Sequence, residues 1–230
     1  MSQPPSLDQE NALKLQGYEL IAGIDEAGRG ALAGPVVAGA VILSGYSYLP
    51  WFGLVRDSKE ISPGKRDFLF GLIQKEVLAI GVGIVSPRII ESMNILKATE
   101  LAMKKAIEKL PHKPQFLLID RLSLPQCSFP QMGITRGDKL CLSIACASIV
   151  AKVTRDHIME ELDKVYPGYG LARHKGYGTR EHVSCLQKLG PSSIHRLSFA
   201  PVRNVIAVNQ NSETFALCHS EEEKRPENLA

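Results

Sequence analysis

Leu20-Ile21-Ala22-Gly23-Ile24-Asp25-Glu26-Ala27-Gly28-Arg29-Gly30 decides how the rest of the chain is read. The apolar run at its start predicts a buried strand. The run ends in two adjacent carboxylates and opens at once into a Gly-Arg-Gly turn. Acids in such a place are costly to bury unless a cation, a substrate group or a fixed Arg neutralises them. The rest of the chain can therefore be searched for further acids that converge on this point.

Working outward, Pro35-Val36-Val37-Ala38-Gly39-Ala40-Val41-Ile42-Leu43 predicts a second strand directly after the turn. That order rules out a dinucleotide-binding role for Gly28-x-Gly30-x-x-Ala33, because such a fingerprint needs a helix there. Ser62-Pro63 supplies a cap and a first-turn Pro for a helix. Ala79–Val85 reads as a third strand. Ser86-Pro87 starts a second helical stretch that runs to Leu110, with an interruption near Asn94. Phe116–Asp120 repeats the opening grammar, an apolar strand ending in an acid. Residues 121–133 read as a loop and 134–138 as a short β segment. Leu142–Val165 reads as a long helix, and residues 179–189 as a final helix closed by Gly190-Pro191. Two successive strands followed by helix–strand–helix predict an α/β fold around a mixed sheet, not a doubly wound parallel one.

The chain has 230 residues, 44% of them hydrophobic, enough for one sizeable core. Residues 1–16 are expected to form a flexible or loosely helical lead-in, residues 17–205 the folded domain, and residues 206–230 an acidic, disordered tail. No apolar run reaches the roughly 18 residues of a membrane span. The start, Met1-Ser2-Gln3-Pro4-Pro5, lacks the pattern of a secretory signal. The five cysteines (Cys127, Cys141, Cys146, Cys185 and Cys218) include no C-x-x-C pair. They predict free thiols in a reducing cytoplasm, not a zinc site. The net charge of +3 is uneven: from Ile206 onward five Glu against Lys224 and Arg225 leave −3, so residues 1–205 carry +6. A mildly basic body permits a polyanionic partner without demanding one.

If the strands ending in Asp25 and Asp120 are neighbours, their carboxylates meet at one sheet edge. Glu26 alternates to the other face unless the turn swings it back. Asp138 and Asp156 are candidates for a further acid. Asp138 could equally cap the long helix, and a salt bridge within that helix is the stronger reading for Asp156. Clustered hard oxygen ligands suit Mg²⁺ or Mn²⁺, and two such ions can activate water and stabilise the leaving oxygen of a phosphodiester. Lys175-Gly176-Tyr177-Gly178 sets an aromatic ring between glycines beside basic residues, a pattern that suits stacking and phosphate contact. Arg29, Lys59 and Lys152 could add phosphate contacts.

Taken together, these pieces resemble the ribonuclease HII family. The resemblance is carried by Gly23 to Gly30 with Leu32-Ala33-Gly34-Pro35-Val36, by Asp57-Ser58-Lys59, by Leu118-Ile119-Asp120 and by Gly137-Asp138. It continues through Ala147-Ser148-Ile149-Val150-Ala151-Lys152-Val153-Thr154-Arg155-Asp156 and His174-Lys175-Gly176-Tyr177-Gly178-Thr179. It closes with Gly190-Pro191-Ser192, His195-Arg196 and Ser198-Phe199. The motifs appear in family order over roughly residues 18–203. Two positions depart from the family pattern: Arg121 stands where bacterial members usually carry Gly, and Arg136 where Lys is common.

The resemblance implies an RNase H-like fold, with a central mixed five-stranded sheet flanked by helices and a helical C-terminal part from about residue 160 to 205. It implies a monomeric, Mg²⁺- or Mn²⁺-dependent endonuclease acting on RNA–DNA hybrids and on duplex DNA that contains single ribonucleotides. The cut would fall 5′ to the ribonucleotide and leave a 3′-hydroxyl and a 5′-phosphate, a role in ribonucleotide excision repair. Asp25, Glu26, Asp120 and Asp138 would be the catalytic, metal-binding acids. Gly28, Arg29, Gly30, Lys59, Ser148, Lys152 and Tyr177 would bind substrate. The backbone of Gly28 to Gly30 would inspect the 2′-hydroxyl, and Tyr177 would stack on the sugar of the following deoxynucleotide. Two other readings fit parts of the pattern. A junction resolvase on the same fold would use strand-end acids without needing Gly-Arg-Gly and Tyr177. A non-catalytic nucleic-acid-binding module would not need four acids.

Overall fold

The computed structural model describes residues 4–45 and 49–208. Most of the expected acidic tail lies outside the described residues. A five-stranded sheet organises the rest, built from β1 (Ile21–Ala27), β2 (Val36–Ile42), β3 (Ala79–Val85), β4 (Phe116–Asp120) and β5 (Gln131–Ile134). Its order is β3-β2-β1-β4-β5. β1, β2 and β3 form an antiparallel run, whereas β4 and β5 add in parallel beside β1. The sheet is therefore mixed, as the strand order in the sequence predicts.

The two faces are covered by different helices because alternate residues of each strand point opposite ways. Ala22, Ile24, Ala38 and Ala40 pack against α4 (Ile95–Glu108), through Ala98, Ala102, Met103 and Ala106. The other face receives α6 (Leu142–Val165), a 24-residue helix whose first ten residues are all buried. α6 lies unusually close to the sheet. A Cβ on Gly23 would collide with the backbone at Ser143, and one on Gly39 with the carbonyl of Ala147. Glycine at these two positions lets a helix backbone rest on a strand backbone. α2 (Pro63–Glu76) packs beside α6, and its start is capped by the Ser62 side chain on Lys65 N–H. The interruption expected near Asn94 is real. Asn94 takes φ +75°, ends α3 (Pro87–Met93), and accepts hydrogen bonds from Leu96 and Lys97 at the start of α4.

The structure displaces one expected segment and adds detail to two others. The β segment expected at 134–138 is displaced: β5 occupies Gln131–Ile134, and Asp138 sits on a one-turn helix, α5 (Gly137–Leu140). Four residues are too few for periodicity to tell strand from helix. The lead-in is an ordered helix, α1 (Asp8–Leu15), docked through buried Glu10 and Leu13. The folded region also runs past residue 205, because residues 200–208 are helical and Val202 and Val205 are buried. The C-terminal part, with α7 (Leu171–His174) and α8 (Arg180–Leu189), has its own small core around Leu171, Leu186 and Val202, joined to Leu32, Ala33 and Met159. As expected, Thr179 caps α8, accepting from His182 N–H at 3.2 Å.

Candidate active site

β1 and β4 are adjacent and parallel, with Ile24 opposite Ile119, so Asp25 and Asp120 follow on neighbouring strands where the β1–β4 pairing ends, Asp25 still paired with Gly39 and Asp120 with Ile134. Asp120 Oδ1 accepts from Gly137 N–H at 2.7 Å. That bond draws the start of α5, with Asp138 in its first turn, to the same edge. Asp25 Oδ1 accepts from Glu26 N–H at 2.7 Å, and Glu26 Oε1 pairs with Arg29 Nη1 at 3.2 Å. Glu26 does not turn away despite strand alternation; it lines the same cleft as Ser148 and Lys152 of α6.

The electrostatics make the four acids one unit. Burial, then the charges of Glu26 and Asp120, push the Asp25 carboxyl well above the usual carboxylate range, against the opposing pull of the Ser148 hydroxyl. Burial raises Glu26, with Arg29 lowering it and Asp120 raising it further. Burial, then Asp120 and Asp57, raise Asp138. The charge of Asp120 thus acts on all three of the others, a like-charge cluster that calls for a positive partner. The oxygen Glu26 Oε2 is buried and has no hydrogen-bond partner. An all-oxygen donor set with an orphaned carboxylate oxygen fits a hard divalent cation. Among the described residues no three acid, His or Cys side chains are already gathered into a finished cage. Several oxygens are engaged by protein N–H groups instead.

A cleft of about 380 Å³ opens beside Glu26. All seven residues expected to meet substrate line it: Gly28, Arg29, Gly30, Lys59, Ser148, Lys152 and Tyr177. Ser58 joins them and is linked to Ser148 through their hydroxyls at 3.0 Å. A larger groove of about 470 Å³ lies between α4 and residues 124–129, and none of these residues lines it. The two glycines of the Gly-Arg-Gly turn differ. Gly28 has φ +93°, and a Cβ there would overlap the Arg155 guanidinium. Gly30 is exposed, and a Cβ there would meet nothing within 4 Å. The fold therefore requires the first glycine, while the second leaves open space at the cleft.

Tyr177 is tied to that turn through backbone. Ala31 and Tyr177 form an antiparallel bridge, and Gly176 O accepts from Leu32 N–H at 2.8 Å. Two fully buried arginines hold the assembly. Arg155 donates to the carbonyls of Pro35, Ala33 and Lys175 at 2.9 to 3.1 Å, and its guanidinium lies 5.2 Å from the Tyr177 ring centroid. Arg196 donates to the Arg29 and Gly34 carbonyls at 2.9 to 3.2 Å. Behind Tyr177, His182 Nδ1 contacts the Tyr177 carbonyl oxygen at 3.0 Å, and its Nε2 meets His195 Nε2 at 3.1 Å. Burial pushes His195 down to about 4 and lowers His182 as well.

Asp156 pairs with Lys152 at 2.7 Å. It is a salt-bridge partner within α6, the stronger of its two readings. Ser58, Arg155 and Arg196 are the site residues that sequence reasoning left without a role. All three stand in quoted motifs, but nothing local marks a buried arginine whose partners are carbonyls. Arg121 adopts φ +58°, which accounts for glycine being the usual residue there.

The sequence profile of the family described as Ribonuclease HII matches residues 22–202. A Ribonuclease HII from Dehalococcoides mccartyi (strain BAV1) is 55% identical over 202 residues, covering 88% of this chain and 95% of the relative. The crystal structure of ribonuclease H2 from Pyrococcus horikoshii OT3 superposes with a TM-score of 0.66 at 26% identity, covering 81% of this chain and 97% of the other. Bst-RNase HIII, crystallised in complex with Mn²⁺, shares the fold with a TM-score of 0.60 at 20% identity, over 82% and 70% of the two chains.

Proposed function

The chain belongs to the ribonuclease HII family, and from that premise we propose that it cuts 5′ to ribonucleotides, including single ribonucleotides embedded in duplex DNA, leaving a 3′-hydroxyl and a 5′-phosphate. Family membership makes it a ribonuclease H, an enzyme acting on RNA–DNA hybrids. One observation carries the finer reading. Glu26, one of the four acids, lines the same cleft as the Gly-Arg-Gly turn and Tyr177, and Tyr177 is bridged to Ala31 directly after that turn.

In this reading Asp25, Glu26, Asp120 and Asp138 hold divalent metal, Mg²⁺ or Mn²⁺. When bound, the metal neutralises the acids, activates water and offsets the charge on the leaving oxygen. The remaining work falls to the chain. Lys59 and Lys152 contact phosphates. The backbone of Gly28-Arg29-Gly30 meets the 2′-hydroxyl, the group that distinguishes RNA from DNA, and the open space beside Gly30 admits the sugar. Tyr177, held by Arg155 and facing Lys152 at 5.7 Å from its ring centroid, offers its ring to the next sugar. The carbonyl-bound guanidinia fix the turn and the tyrosine relative to one another before substrate arrives.

The direct test is a DNA duplex carrying one ribonucleotide, incubated with Mg²⁺, Mn²⁺ or EDTA, with the cut position mapped. Metal-dependent incision on the 5′ side is expected. Metal-independent binding without any cleavage would favour the non-catalytic module, equal cutting of a four-way DNA junction the resolvase, and incision in EDTA would overturn the metal assignment. We place the activity in a cytoplasmic monomer engaged in ribonucleotide excision repair, a setting that suits the free thiols among the described residues. No described helix is long and apolar enough to cross a membrane.

A further inference from the structure

Asp138 rides on α5, a single helical turn that has little stability of its own. One extended residue, Cys141, separates α5 from α6 and gives no side-chain cap to either. The backbone groups exposed at this joint must find partners elsewhere. They find them in the N-terminal lead-in. Ser6 N–H donates to Leu140 O at 3.0 Å, and Ser6 O accepts from Leu142 N–H at 2.9 Å, so that Ser6 forms a parallel bridge with Cys141. In the first turn of α1, fully buried Glu10 accepts from Ser143 N–H at 2.9 Å through Oε1. A carboxylate at that place also complements the dipole of the 24-residue α6. Leu13 packs in the same small core as Cys141 and Ile144. The other end of α5 is tied to Asp120 through Gly137 N–H.

We propose that residues 6–13 are a brace for the metal site, and that Glu10 is a positioning residue that sets Asp138 against Asp120 by capping α6 and closing the α5–α6 joint. Glu10 touches neither substrate nor metal. The proposal rests on the reading of Asp138 as a metal ligand. The lead-in is then a working part of the active site, although it lies more than 120 residues from Asp138 in sequence.

Calorimetric titration of the full chain with Mn²⁺, without nucleic acid, tests this. Glu10→Ala should bind Mn²⁺ roughly 10-fold more weakly, the size of loss usual for removing a group that orients a ligand. Glu10→Gln keeps a carbonyl acceptor and should recover most of that loss. Duplex affinity in EDTA should be the same in all three proteins. Met103→Ala, in the α4 core on the opposite face of the sheet, should lose thermal stability and keep wild-type Mn²⁺ affinity. Unchanged affinity in Glu10→Ala, or an equal loss in Met103→Ala, overturns the brace. Asp138→Asn separates the premise from the proposal: no loss of Mn²⁺ affinity there removes both, whereas a loss there with none in Glu10→Ala removes only the brace. The wild type gives a readout that no folding defect can obscure. By linkage, Mn²⁺ should slow hydrogen exchange at the Leu142 and Ser143 amides, and identical exchange with and without Mn²⁺ counts against the proposal.

Discussion

The acid cluster and the Gly-Arg-Gly/Tyr177 assembly meet at Glu26, which lines the cleft, but are held in place by opposite means. Asp25 and Asp120 stand where the pairing of two adjacent strands ends, and backbone N–H groups hold one oxygen of each. The four acids repel one another, and burial makes that repulsion expensive. The recognition loops are irregular backbone, and their carbonyls are gripped by the buried guanidinia of Arg155 and Arg196. One half is rigid scaffold with unfavourable charge, the other weak scaffold with favourable polar bonds. Removing an acid should therefore damage chemistry and spare stability, while removing a brace of the loops should damage both.

The largest effect is expected for Asp120→Asn. It takes away the charge common to the whole cluster, so cleavage should fall by roughly 10³-fold or more while hybrid binding persists. Thermal stability should hold or rise. Near-wild-type turnover in Mg²⁺ or Mn²⁺ would break the comparison at its chemical half.

The two glycines divide the recognition half. Gly28→Ala must override φ +93° and displace Arg155, so a loss of roughly 2–4 kcal/mol in urea melts is expected. Gly30→Ala should melt like the wild type and lose incision at a lone ribonucleotide. Matched melting losses for the two would show that the open space beside Gly30 is not real.

The recognition half should also be the acid-labile one. His195 is held near 4 by burial, below the ordinary imidazole value of about 6.5, and is neutral in the fold. Between those values the unfolded chain takes up a proton that the folded chain refuses. Stability is complete above about pH 6.5 and declines as pH falls toward 4, by up to about 3 kcal/mol from this residue. Urea melts at pH 7.5 and pH 5 should converge in His195→Gln; a pH dependence as steep as that of the wild type would exclude the histidine pair as the cause.

Tyr177→Ala should cost roughly 10-fold or more at a single ribonucleotide in DNA, the scale of one stacking contact, and less within a long hybrid. Equal losses on both substrates would argue that Tyr177 grips nucleic acid without sensing the junction. The smallest effect is expected for Arg121→Gly, which relieves a left-handed residue beside Asp120. A gain of roughly 0.5–1 kcal/mol in stability with unchanged metal affinity is expected. A shift in metal affinity would mean that the side chain tunes the acids.

The scaffold half was the legible one. Leu20 to Ile24 and Phe116–Asp120 are apolar runs followed by or ending in acids, and their pairing, left conditional in the sequence, is met by the strand order β3-β2-β1-β4-β5. Asp138 could be named from its motif but not placed, because Gly137–Leu140 is too short to show a period. The recognition half could be quoted and not built. Arg155 and Arg196 look like ordinary surface charges in a string of letters, since their partners are backbone carbonyls from residues 29–35 and 175. The docking of α1 escaped for a related reason. Asp8-Gln9-Glu10-Asn11 is a polar stretch, and only the three-dimensional neighbour Ser143 makes Glu10 a buried residue.

The buried guanidinia have an effect at a distance as well. Burial lowers Arg196 to about 9, so it remains a cation at neutral pH, and the partners of both arginines are neutral carbonyls. Two positive charges therefore lie beneath the proposed substrate surface, with Asp156 acting on Arg155 and Glu91 on Arg196. Exposed lysines lose their reach within a Debye length of about 8 Å at physiological ionic strength, whereas charges set in protein are screened less. If the cleft binds substrate as proposed, these buried struts should add to the potential that draws nucleic acid in. That contribution should persist in salt that silences the surface, and a binding slope against log salt shallower than the phosphate contacts require is its signature.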